Sequence, residues 1–451
     1  MHLVPKRDHL VLLIGDILVF ALSLYLTLAL RYLSLPARPL LMIHAIPFAI
    51  LFVAWILVFF LAGLYGRHTR LFRHQLPTLI LAAQAVNILI AAAFFFFIPV
   101  FGIAPKTNLA LYLVVWAPLI YLWRVLVFPR VRFSKPLRGL LIASGPDARE
   151  LAAEVRRDAR STFSFAHVLD TSRAPTHEVI QRACRVAEDK DVSFVVVDHS
   201  DAAVAAALPI IYEAAFHKQR FALVDIMDLY QEVFERVPLS LTKYGWLLQQ
   251  VGSASSYDVL KRVVDMVGGV ILGTISLVFY PLVCLAIKLD DGGPIFIVQE
   301  RVGRFQRPIR MYKFRTMSGN DHGEYKKNGK SELVVTRVGK WLRVLRIDEL
   351  PQLWSIVRGD LSLVGPRPEL PALAAQYNAR IPYYNARYLV APGLTGWAQI
   401  RHDRDPHHGT AIEETKEKLS YDLYYLRHRS FFLDLFILLQ TVRIVVSARG
   451  S

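Results

Sequence analysis

The chain contains 451 residues, of which 54% are apolar, and its mean hydropathy is positive. This composition excludes an ordinary soluble protein and is typical of a membrane protein with room for two or three domains. The formal charge of +16 suits anionic lipid or phosphorylated ligands as well as nucleic acid, but the long apolar runs favour lipid, and we expect no nucleic-acid partner.

Four apolar segments fill the first 130 residues, at roughly 10 to 30, 41 to 64, 78 to 103 and 108 to 128. Each is long enough to cross the ~30 Å hydrocarbon layer, so the sequence predicts a bundle of four transmembrane helices over residues 1–130. The third-to-fourth connection holds only Lys106, while Arg31 and Arg38 between the first two segments are a mild exception. The positive-inside rule therefore places both ends of the bundle in the cytoplasm. The basic clusters are Lys6 and Arg7, then Arg67, Arg70 and Arg73, and finally Arg130, Arg132, Lys135 and Arg138.

Asp16 lies inside the first apolar segment, where an ionisable side chain is costly. Such an acid can belong to a functional site within the membrane. The sequence reveals no partner for it, and we favour a structural or interfacial role.

Residues 137–250 show a different pattern, in which short apolar runs alternate with amphipathic ones. LLIAS, FAHVLD, FVVVDH and FALVDI are predicted strands, and helices are predicted near 147 to 158, 176 to 189 and 203 to 217. This alternation predicts a parallel, doubly wound, Rossmann-like α/β domain. The first turn, SGPDARE, lacks the G-x-G-x-x-G spacing that pyrophosphate binding requires, although Asp170 ends the second strand where a ribose-binding acid would lie. A structural or regulatory role is therefore favoured over dinucleotide binding.

Residues 261–291 contain some 20 apolar residues that follow Lys261, Arg262 and Asp265 and are interrupted by Pro281. A straight helix of this length would cross the bilayer and carry the rest of the chain outside. A proline within a helix removes a hydrogen bond and bends the axis, so the segment could instead enter one leaflet and turn back. From the residues alone, a kinked crossing and a re-entrant helix remain equally supported.

The remaining residues, 292 to 451, are more polar and are punctuated by glycine and proline. PIFIVQERVGR and RMYKFRTM are predicted as short strands or turns, and 319 to 333 as a charged loop. Asp348 occupies a helix-capping position before Pro351, so Asp348 and Glu349 are expected at a helix N-terminus, where a phosphate could bind. The basic, aromatic-rich stretch near the C-terminus suits either the membrane interface or a core-packed pair of helices.

Several of these motifs occur together in one order: KRVVD, the apolar run with an internal proline, KFRTM, DELPQLW, GDLSLVGPRPE and PGLTGWAQI. In this order they resemble the monotopic phosphoglycosyl transferases, also called bacterial sugar transferases, over about residues 256–451. The upstream part is similar in layout to the large members, the polyprenyl-phosphate hexose-1-phosphate transferases. The resemblance implies a C-terminal α+β catalytic domain with a re-entrant membrane helix at about 264–290.

The resemblance also implies a reaction: transfer of a sugar 1-phosphate from a UDP-sugar to undecaprenyl phosphate, with release of UMP and a requirement for Mg²⁺. This is the first membrane step in exopolysaccharide, capsule or O-antigen synthesis. The expected location is the bacterial inner membrane, with the catalytic domain facing the cytoplasm. The apolar helices or the middle domain could supply the interface of a homodimer. No motif in the sequence indicates which sugar is transferred.

The resemblance assigns roles to individual residues. Asp348 matches the nucleophile and Glu349 the second acid of the pair, and both are expected to bind the metal. Tyr280 departs from the family, which tends to have serine before the proline. Arg367 matches a phosphate-binding arginine, Asp422 and Asp434 resemble later acids, and the membrane re-entry positions are Lys261, Arg262, Asp265 and Pro281. Arg315, Lys313 and Arg301 are further candidate phosphate-binding residues, chosen for their charge and position in the sequence and not from the resemblance.

Two alternatives come from other functional classes. A non-catalytic membrane scaffold of a polysaccharide assembly complex would not need the intact acid pair. An enzyme that transfers a whole sugar would release UDP instead of UMP.

Overall fold

The computed structural model divides the chain into two compact units, residues 1–234 and 235–451, which are described separately. The predicted domain boundaries near 130, 137, 250 and 256 stay predictions. The structure describes residues 6–62, 64–65, 76–98, 105–128, 137–157, 163–172, 181, 185, 192–199, 201–218, 221–243, 256–318, 334–401 and 412–446.

The first unit begins with four apolar helices that are long enough to cross a membrane, as predicted. Most of the predicted basic clusters, and the end of the third apolar segment, lie outside the described residues. The fourth helix ends in a π-helical turn, Leu122–Val127. The four helices are α1 (Lys6–Tyr32), α2 (Arg38–Leu61), α3 (Leu76–Phe97) and α4 (Pro105–Tyr121).

Asp16 has a buried partner that the sequence did not reveal. Arg124, in the π-helical turn, donates from Nε to Asp16 Oδ1 at 3.0 Å, and the Tyr65 hydroxyl donates to Asp16 Oδ2 at 2.7 Å. Asp16 is fully buried and Arg124 is 3% exposed. A charge is tolerated at this depth only when it is paired, so the contacts support the structural role for Asp16.

A parallel sheet with strand order β2-β1-β3-β4 follows, which confirms the predicted parallel α/β pattern. Val195 and Val197 on the central strand β3 pack with Val204 and Ile211 of the following helix. The predicted helix at 176 to 189 lies almost entirely outside the described residues. The elements are β1 (Leu137–Ile142), α5 (Pro146–Arg157), β2 (Phe163–Leu169), β3 (Phe194–Val197), α6 (Ala202–Lys218), β4 (Ala222–Asp225) and α7 (Ile226–Phe234).

Asp170, the candidate ribose-binding acid, is engaged locally. Its Oδ1 accepts hydrogen bonds from the backbone N–H of Ser172 at 3.1 Å and from the Ser172 hydroxyl at 2.5 Å, and its other oxygen lies 3.8 Å from Arg149. These contacts stabilise the turn after β2 and support a structural role for Asp170.

The second unit begins with the segment Glu235–Thr242, which packs onto the C-terminal part of the chain. The indole N–H of Trp397 donates to the Glu235 carbonyl at 2.9 Å, and the Val237 N–H donates to the Ser420 carbonyl at 3.0 Å. Arg401 forms an ion pair with the Glu235 carboxylate. The segment is therefore an integral part of the second unit.

The apolar run of the second unit forms two helices, α8 (Ser256–Ser276) and α9 (Tyr280–Asp290), joined by a 3₁₀ turn at Leu277–Phe279. Pro281 lies in the first turn of α9, where a proline costs no hydrogen bond. The Ser276 hydroxyl donates to the Gly273 carbonyl at 2.6 Å beside this break, and the ring of Tyr280 packs against Phe314. A serine therefore does bond the backbone near the bend, one turn before the position that Tyr280 occupies.

Short strands and helices make up the rest of the second unit, and the last two helices bury Leu419, Leu423 and Ile437 in its core. This arrangement matches the core-packed alternative for the C-terminal stretch. The elements are β5 (Phe296–Val302), β6 (Pro308–Phe314), β7 (Met317–Ser318), β8 (Val334–Val335), α10 (Arg337–Val344), α11 (Leu353–Arg358), β9 (Ser362–Val364), α12 (Pro371–Arg380), β10 (Gly393–Thr395), α13 (Trp397–Arg401), α14 (Ile412–His428) and α15 (Phe431–Val446).

Candidate active site

The acid pair, Asp348 and Glu349, lies in a six-residue 3₁₀ turn, Ile347–Gln352, that leads into α11. The prediction that Asp348 caps a helix is wrong. Arg346 occupies the capping position in the left-handed conformation, with φ 56°, and no side chain caps the turn. The acid pair does stand at the start of a helical segment, but its carboxylates are left available for other contacts.

Residues at the start of α8 position the helix that follows the acid pair. The Arg262 guanidinium donates to the carbonyls of Ile356 at 2.8 Å and Val357 at 2.7 Å, near the C-terminal end of α11, where carbonyl groups lack helical partners. A Cβ on Gly269 would lie 3.1 Å from the Val357 side chain, so a glycine allows α8 to approach α11 closely. The apolar helix and the acid pair are thereby held together.

Asp348 is 9% exposed, and its Oδ1 has no hydrogen-bond partner among the described residues. Burial raises the pKa of this carboxyl to about 6, and the neighbouring Glu349 charge adds to the rise. The charges of Lys313, Arg343 and Arg346 act in the opposite direction. Asp348 is therefore a poorly solvated carboxylate that is still ionised near neutral pH, as a nucleophile must be.

Glu349 lies among three cations. Its Oε1 is 3.2 Å from Arg367, 3.3 Å from Lys313 and 3.8 Å from Arg346. Burial alone would raise the pKa of Glu349, but Arg367, Lys313 and Arg346 together lower it to about 2. Glu349 is thus a permanent negative charge that holds basic side chains next to Asp348.

A small cleft connects these cations. Arg301 on β5, Lys313 on β6 and Arg367 in the GPRP loop line it together with Glu349, and we call these three residues the inner cations. Side chains alternate along a strand, so Lys313 shares the face of β6 that carries the buried Met311. Burial lowers the pKa of Lys313. The enclosed volume is about 10 Å³, enough for one water, so a larger anion would contact the inner cations from the mouth of the cleft.

Two of the predicted phosphate-binding or acidic residues, Arg315 and Asp434, have other partners. Arg315 lies 2.9 Å from Asp291, just after α9, and does not line the cleft. Asp434 lies 2.7 Å from Lys261 and accepts a hydrogen bond from Tyr257. These contacts connect the residue after β6 to the residue after α9, and the start of α15 to the start of α8.

Asp265 completes the contacts at the start of α8. It lies 3.2 Å from Lys261, and it accepts a hydrogen bond from the Leu363 N–H at 3.0 Å. Together with Arg262, these residues of the KRVVD motif attach α8 to α15, to β9 and to the helix after the acid pair.

Asp422 forms a buried ion pair with Arg387, at 2.8 Å, and sequence analysis did not identify Arg387. The Arg387 guanidinium is 1% exposed and also donates to the backbone carbonyl of Arg367 at 3.0 Å and to the Tyr384 hydroxyl at 2.8 Å. Burial raises the pKa of Asp422, whereas the charge on Arg387 opposes the rise. Asp422 therefore acts on the site through Arg387, which supports the loop that carries Arg367.

Glu369, in the loop that carries Arg367, is a second acid that contacts Arg387. It lies 2.7 Å from Lys418 and 3.4 Å from Arg387, and these charges overcome the effect of burial and lower its pKa to about 2. Sequence analysis did not single out Glu369, and nothing local in the sequence marks Lys418 or Arg387 as its partners.

The acid pair offers few ligands for Mg²⁺. No group of three or more His, Cys, Asp or Glu side chains with metal-binding spacing occurs in the described part of the chain. Mg²⁺ usually takes one or two carboxylates and completes its shell with water and substrate phosphates. The unpartnered Asp348 Oδ1 fits such a site, whereas Glu349 Oε1 is already surrounded by cations.

These contacts define the chemistry that the site can support. A buried, ionised carboxylate stands beside arginine side chains that can bind phosphate oxygens in bidentate fashion and a lysine that can bind them as a point charge. This arrangement is suited to nucleophilic attack on phosphorus, with the cations stabilising the charge of the leaving phosphate.

Comparison with known proteins places this site in a larger group. Residues 256–448 match a family model described as bacterial sugar transferase. The chain is 40% identical, over 43% of its length, to an N-acetylgalactosaminephosphotransferase that uses undecaprenyl phosphate in Aeromonas hydrophila, and 30% identical, over 69% of its length, to an undecaprenyl-phosphate glucose phosphotransferase of Komagataeibacter xylinus. These alignments cover 45% and 59% of the two proteins, so the chain spans about half the length of these curated relatives.

The alignment with a third relative covers a larger share of that protein. The chain is 42% identical to a UDP-glucose:undecaprenyl-phosphate glucose-1-phosphate transferase of Caulobacter vibrioides, over 41% of this chain and 69% of that protein. The region that the family model matches, residues 256–448, contains the acid pair, the inner cations and α8. The chain belongs to the bacterial sugar transferase family.

Proposed function

We propose that this protein transfers a sugar 1-phosphate from a UDP-sugar to undecaprenyl phosphate and releases UMP. The observation that carries the proposal is the Asp348 carboxylate, which is buried and has an unpartnered oxygen among the described residues, beside a cation-lined cleft. The names of the relatives support the same reaction, since they specify phosphotransferases that act on undecaprenyl phosphate.

The first half of the proposed reaction uses the charges described above. An Asp348 oxygen forms a bond to the β-phosphorus of the UDP-sugar, and the bond from that phosphorus to the bridging oxygen breaks, with the electron pair leaving on UMP. Lys313 and Arg367 are placed to bind the diphosphate oxygens, and Glu349 holds both of them at 3.2 to 3.3 Å. The product is an acyl phosphate, a mixed anhydride that joins the Asp348 carboxylate to the sugar phosphate.

The second half regenerates the carboxylate. An oxygen of the acceptor phosphate attacks the same phosphorus, and the bond to the Asp348 oxygen breaks with its electron pair returning to the side chain. The new bond is the phosphoanhydride of the lipid diphosphosugar. No proton transfer is needed when the acceptor phosphate is a dianion.

We also propose that the reaction requires Mg²⁺. Asp348 would hold the ion, with Glu349 beside it and with phosphate oxygens supplying further ligands. When bound, Mg²⁺ would screen the negative charge of the diphosphate and stabilise the leaving UMP.

The proposed topology has α8 and α9 entering one leaflet and returning to the cytoplasmic side. The combined segment Tyr257–Asp290 is long and apolar enough to cross a membrane. A break at Leu277–Phe279 and the basic ends of the pair are compatible with re-entry. Re-entry would keep the acid pair on the side of the cytoplasmic UDP-sugar. A homodimer in the bacterial inner membrane stays a prediction.

Cysteine labelling tests the re-entrant topology. In a background without Cys184 and Cys284, single cysteines at Val259 and Arg307 should both react with a membrane-impermeant maleimide only from the cytoplasmic side. The measurement uses inverted and right-side-out vesicles. Labelling of the two positions from opposite sides would establish a crossing and contradict re-entry.

The proposed reaction is tested by product analysis. Purified protein with undecaprenyl phosphate and Mg²⁺ should release UMP from one member of a panel of UDP-sugars and form the matching lipid diphosphosugar. UDP as the product would indicate transfer of a whole sugar. The absence of any lipid-dependent product would favour the non-catalytic scaffold. The sugar identity has to come from this panel, because sugars that differ by single hydroxyl positions are distinguished by only a few hydrogen bonds.

A further inference from the structure

Gln352 is the last residue of the turn that carries the acid pair, and its side chain is buried. Only 2% of Gln352 is exposed, and its Nε2 has no hydrogen-bond partner among the described residues. The side chain does not cap α11, which begins at the next residue. An amide that is buried without a partner costs free energy, so a ligand, a water or a catalytic role is needed to explain it.

This amide lies at the cleft of the inner cations. Gln352 lines the cleft together with Lys313, Arg367 and Glu349. The enclosed part, about 10 Å³, holds one group of the size of water, and a non-bridging phosphate oxygen is nearly the same size. The cleft can therefore take one oxygen of a phosphate whose other atoms stay at the mouth.

Gln352 differs from the cationic donors of the cleft in the contacts that it makes before a substrate binds. Lys313 and Arg367 lie 3.3 Å and 3.2 Å from Glu349 Oε1, so each must share its donors between Glu349 and an incoming phosphate. Gln352 Nε2 gives up no such contact in the described part of the chain. A fixed donor in a site that excludes water is the kind of group that stabilises a reacting oxygen.

The geometry of the turn connects this donor to the acid pair. Asp348, Glu349 and Gln352 belong to one six-residue 3₁₀ turn. Residues three apart in a 3₁₀ helix lie on the same side, so Gln352 follows Glu349 onto the side that meets the cleft. The nucleophile and the amide donor are thus held by the same short piece of backbone.

We propose that Gln352 Nε2 donates a hydrogen bond to one non-bridging oxygen of the β-phosphoryl group that is transferred, and holds that oxygen in the enclosed part of the cleft. This assignment rests on the proposed function and adds a neutral donor to it. The phosphorus keeps this oxygen when Asp348 attacks and again when the acceptor displaces Asp348. One donor therefore serves both halves of the reaction, and Gln352 itself transfers no proton.

Gln352→Met tests the donor, because it keeps the length of the side chain and removes the amide. We expect the UMP burst and the transfer from the adduct to undecaprenyl phosphate, each measured in a single turnover, to slow by about 10²-fold, the effect of losing one such donor. KM for the UDP-sugar should change less than about threefold, because the contact acts on the reacting group. The melting temperature without substrate should be unchanged or higher, since no unpartnered amide is then buried.

Two further variants define the role of the amide. Gln376→Met, the same substitution at an exposed position of α12, is the matched control and should change neither the rates nor the melting temperature. Gln352→Glu replaces the donor with a carboxylate and should be at least as slow as Gln352→Met. Normal rates in Gln352→Glu would mean that an oxygen at this position suffices, and would overturn the donor.

Three other results would count against the assignment. Unchanged rates in Gln352→Met, or slower rates together with a lower melting temperature, would overturn it and leave the proposed function standing. Slowing confined to the UMP burst would place the contact on the leaving UMP and would also overturn it. If the unaltered chain releases no UMP, the proposed function fails and the role of Gln352 fails with it.

Discussion

Asp348→Asn should lower phosphosugar transfer by at least about 10⁴-fold, the scale of effect seen when a catalytic nucleophile is removed. The amide has no charge with which to attack phosphorus, so the covalent phosphosugar adduct should be missing when the intact protein is analysed by mass spectrometry. Asp360→Asn is the matched control, because it makes the same substitution in a half-exposed acid that forms an ion pair with Arg358. That variant should retain UMP release and the adduct.

The same substitution should stabilise the protein. The folded-state pKa of Asp348, about 6, lies above its unfolded value, so the protonated side chain favours the fold. This contribution is fully present below about pH 4 and is lost as the pH rises through about 6. The Asn variant has no such loss, and at pH 8 it should be more stable than the unaltered chain by about 3 kcal/mol.

Thermal unfolding in EDTA at pH 4 and pH 8 measures this difference, which should be small at the lower pH. UMP release by the unaltered chain should fall as the pH drops below about 6, where Asp348 becomes protonated. An Asn variant that is active, or that is less stable at pH 8, would refute the role of Asp348 as a buried nucleophile.

Arg387→Leu should destabilise the second unit by about 3 to 5 kcal/mol, because it leaves the fully buried Asp422 without its ion-pair partner. It also removes the hydrogen bond to the Arg367 carbonyl, so KM for the UDP-sugar should rise where the variant remains folded. The measurements are the apparent melting temperature and the steady-state kinetics at a temperature well below it.

Two further variants separate the buried charge from other effects of this substitution. Arg387→Leu combined with Asp422→Leu should recover much of the melting temperature, since both charges are then absent, but it should not restore KM for the UDP-sugar. Arg380→Leu, at the exposed end of α12, should have little effect on either quantity. If the double variant is no more stable than Arg387→Leu, the buried charge is not the cause of the destabilisation.

The elements that the sequence predicted are those with strong local signals. The apolar lengths of α1 to α4 and the alternation of strands with helices in residues 137–250 are properties of short windows. The acid pair, Lys313 and Arg367 were recognised from motifs, and the structure brings them together around Glu349 at 3.2 to 3.3 Å.

What the sequence could not predict depends on contacts between distant residues. Asp422 meets Arg387, and Asp434 meets Lys261, because helices from different parts of the chain pack together. The capping role assigned to Asp348 failed for another reason. Asp before a helix is the usual cap, but Arg346 adopts the left-handed conformation here and the helix starts as a 3₁₀ turn, which leaves the Asp348 carboxylate out of the backbone hydrogen bonding.

The buried contacts of Asp16 impose an order on the biogenesis of the first unit. Tyr65 is synthesised 49 residues after Asp16, and Arg124 follows 108 residues after it. An aspartate within an inserted helix costs up to about 2.5 to 3.5 kcal/mol, and the ribosome needs about 5 to 20 s to add the missing residues. Until Arg124 is synthesised, Asp16 can have the neutral Tyr65 hydroxyl as a donor but not the guanidinium. We expect α1 to be stably inserted only after α4 and its π-helical turn have been made, because that turn carries the Arg124 guanidinium. A chain truncated before Arg124 should therefore retain α1 poorly in the membrane.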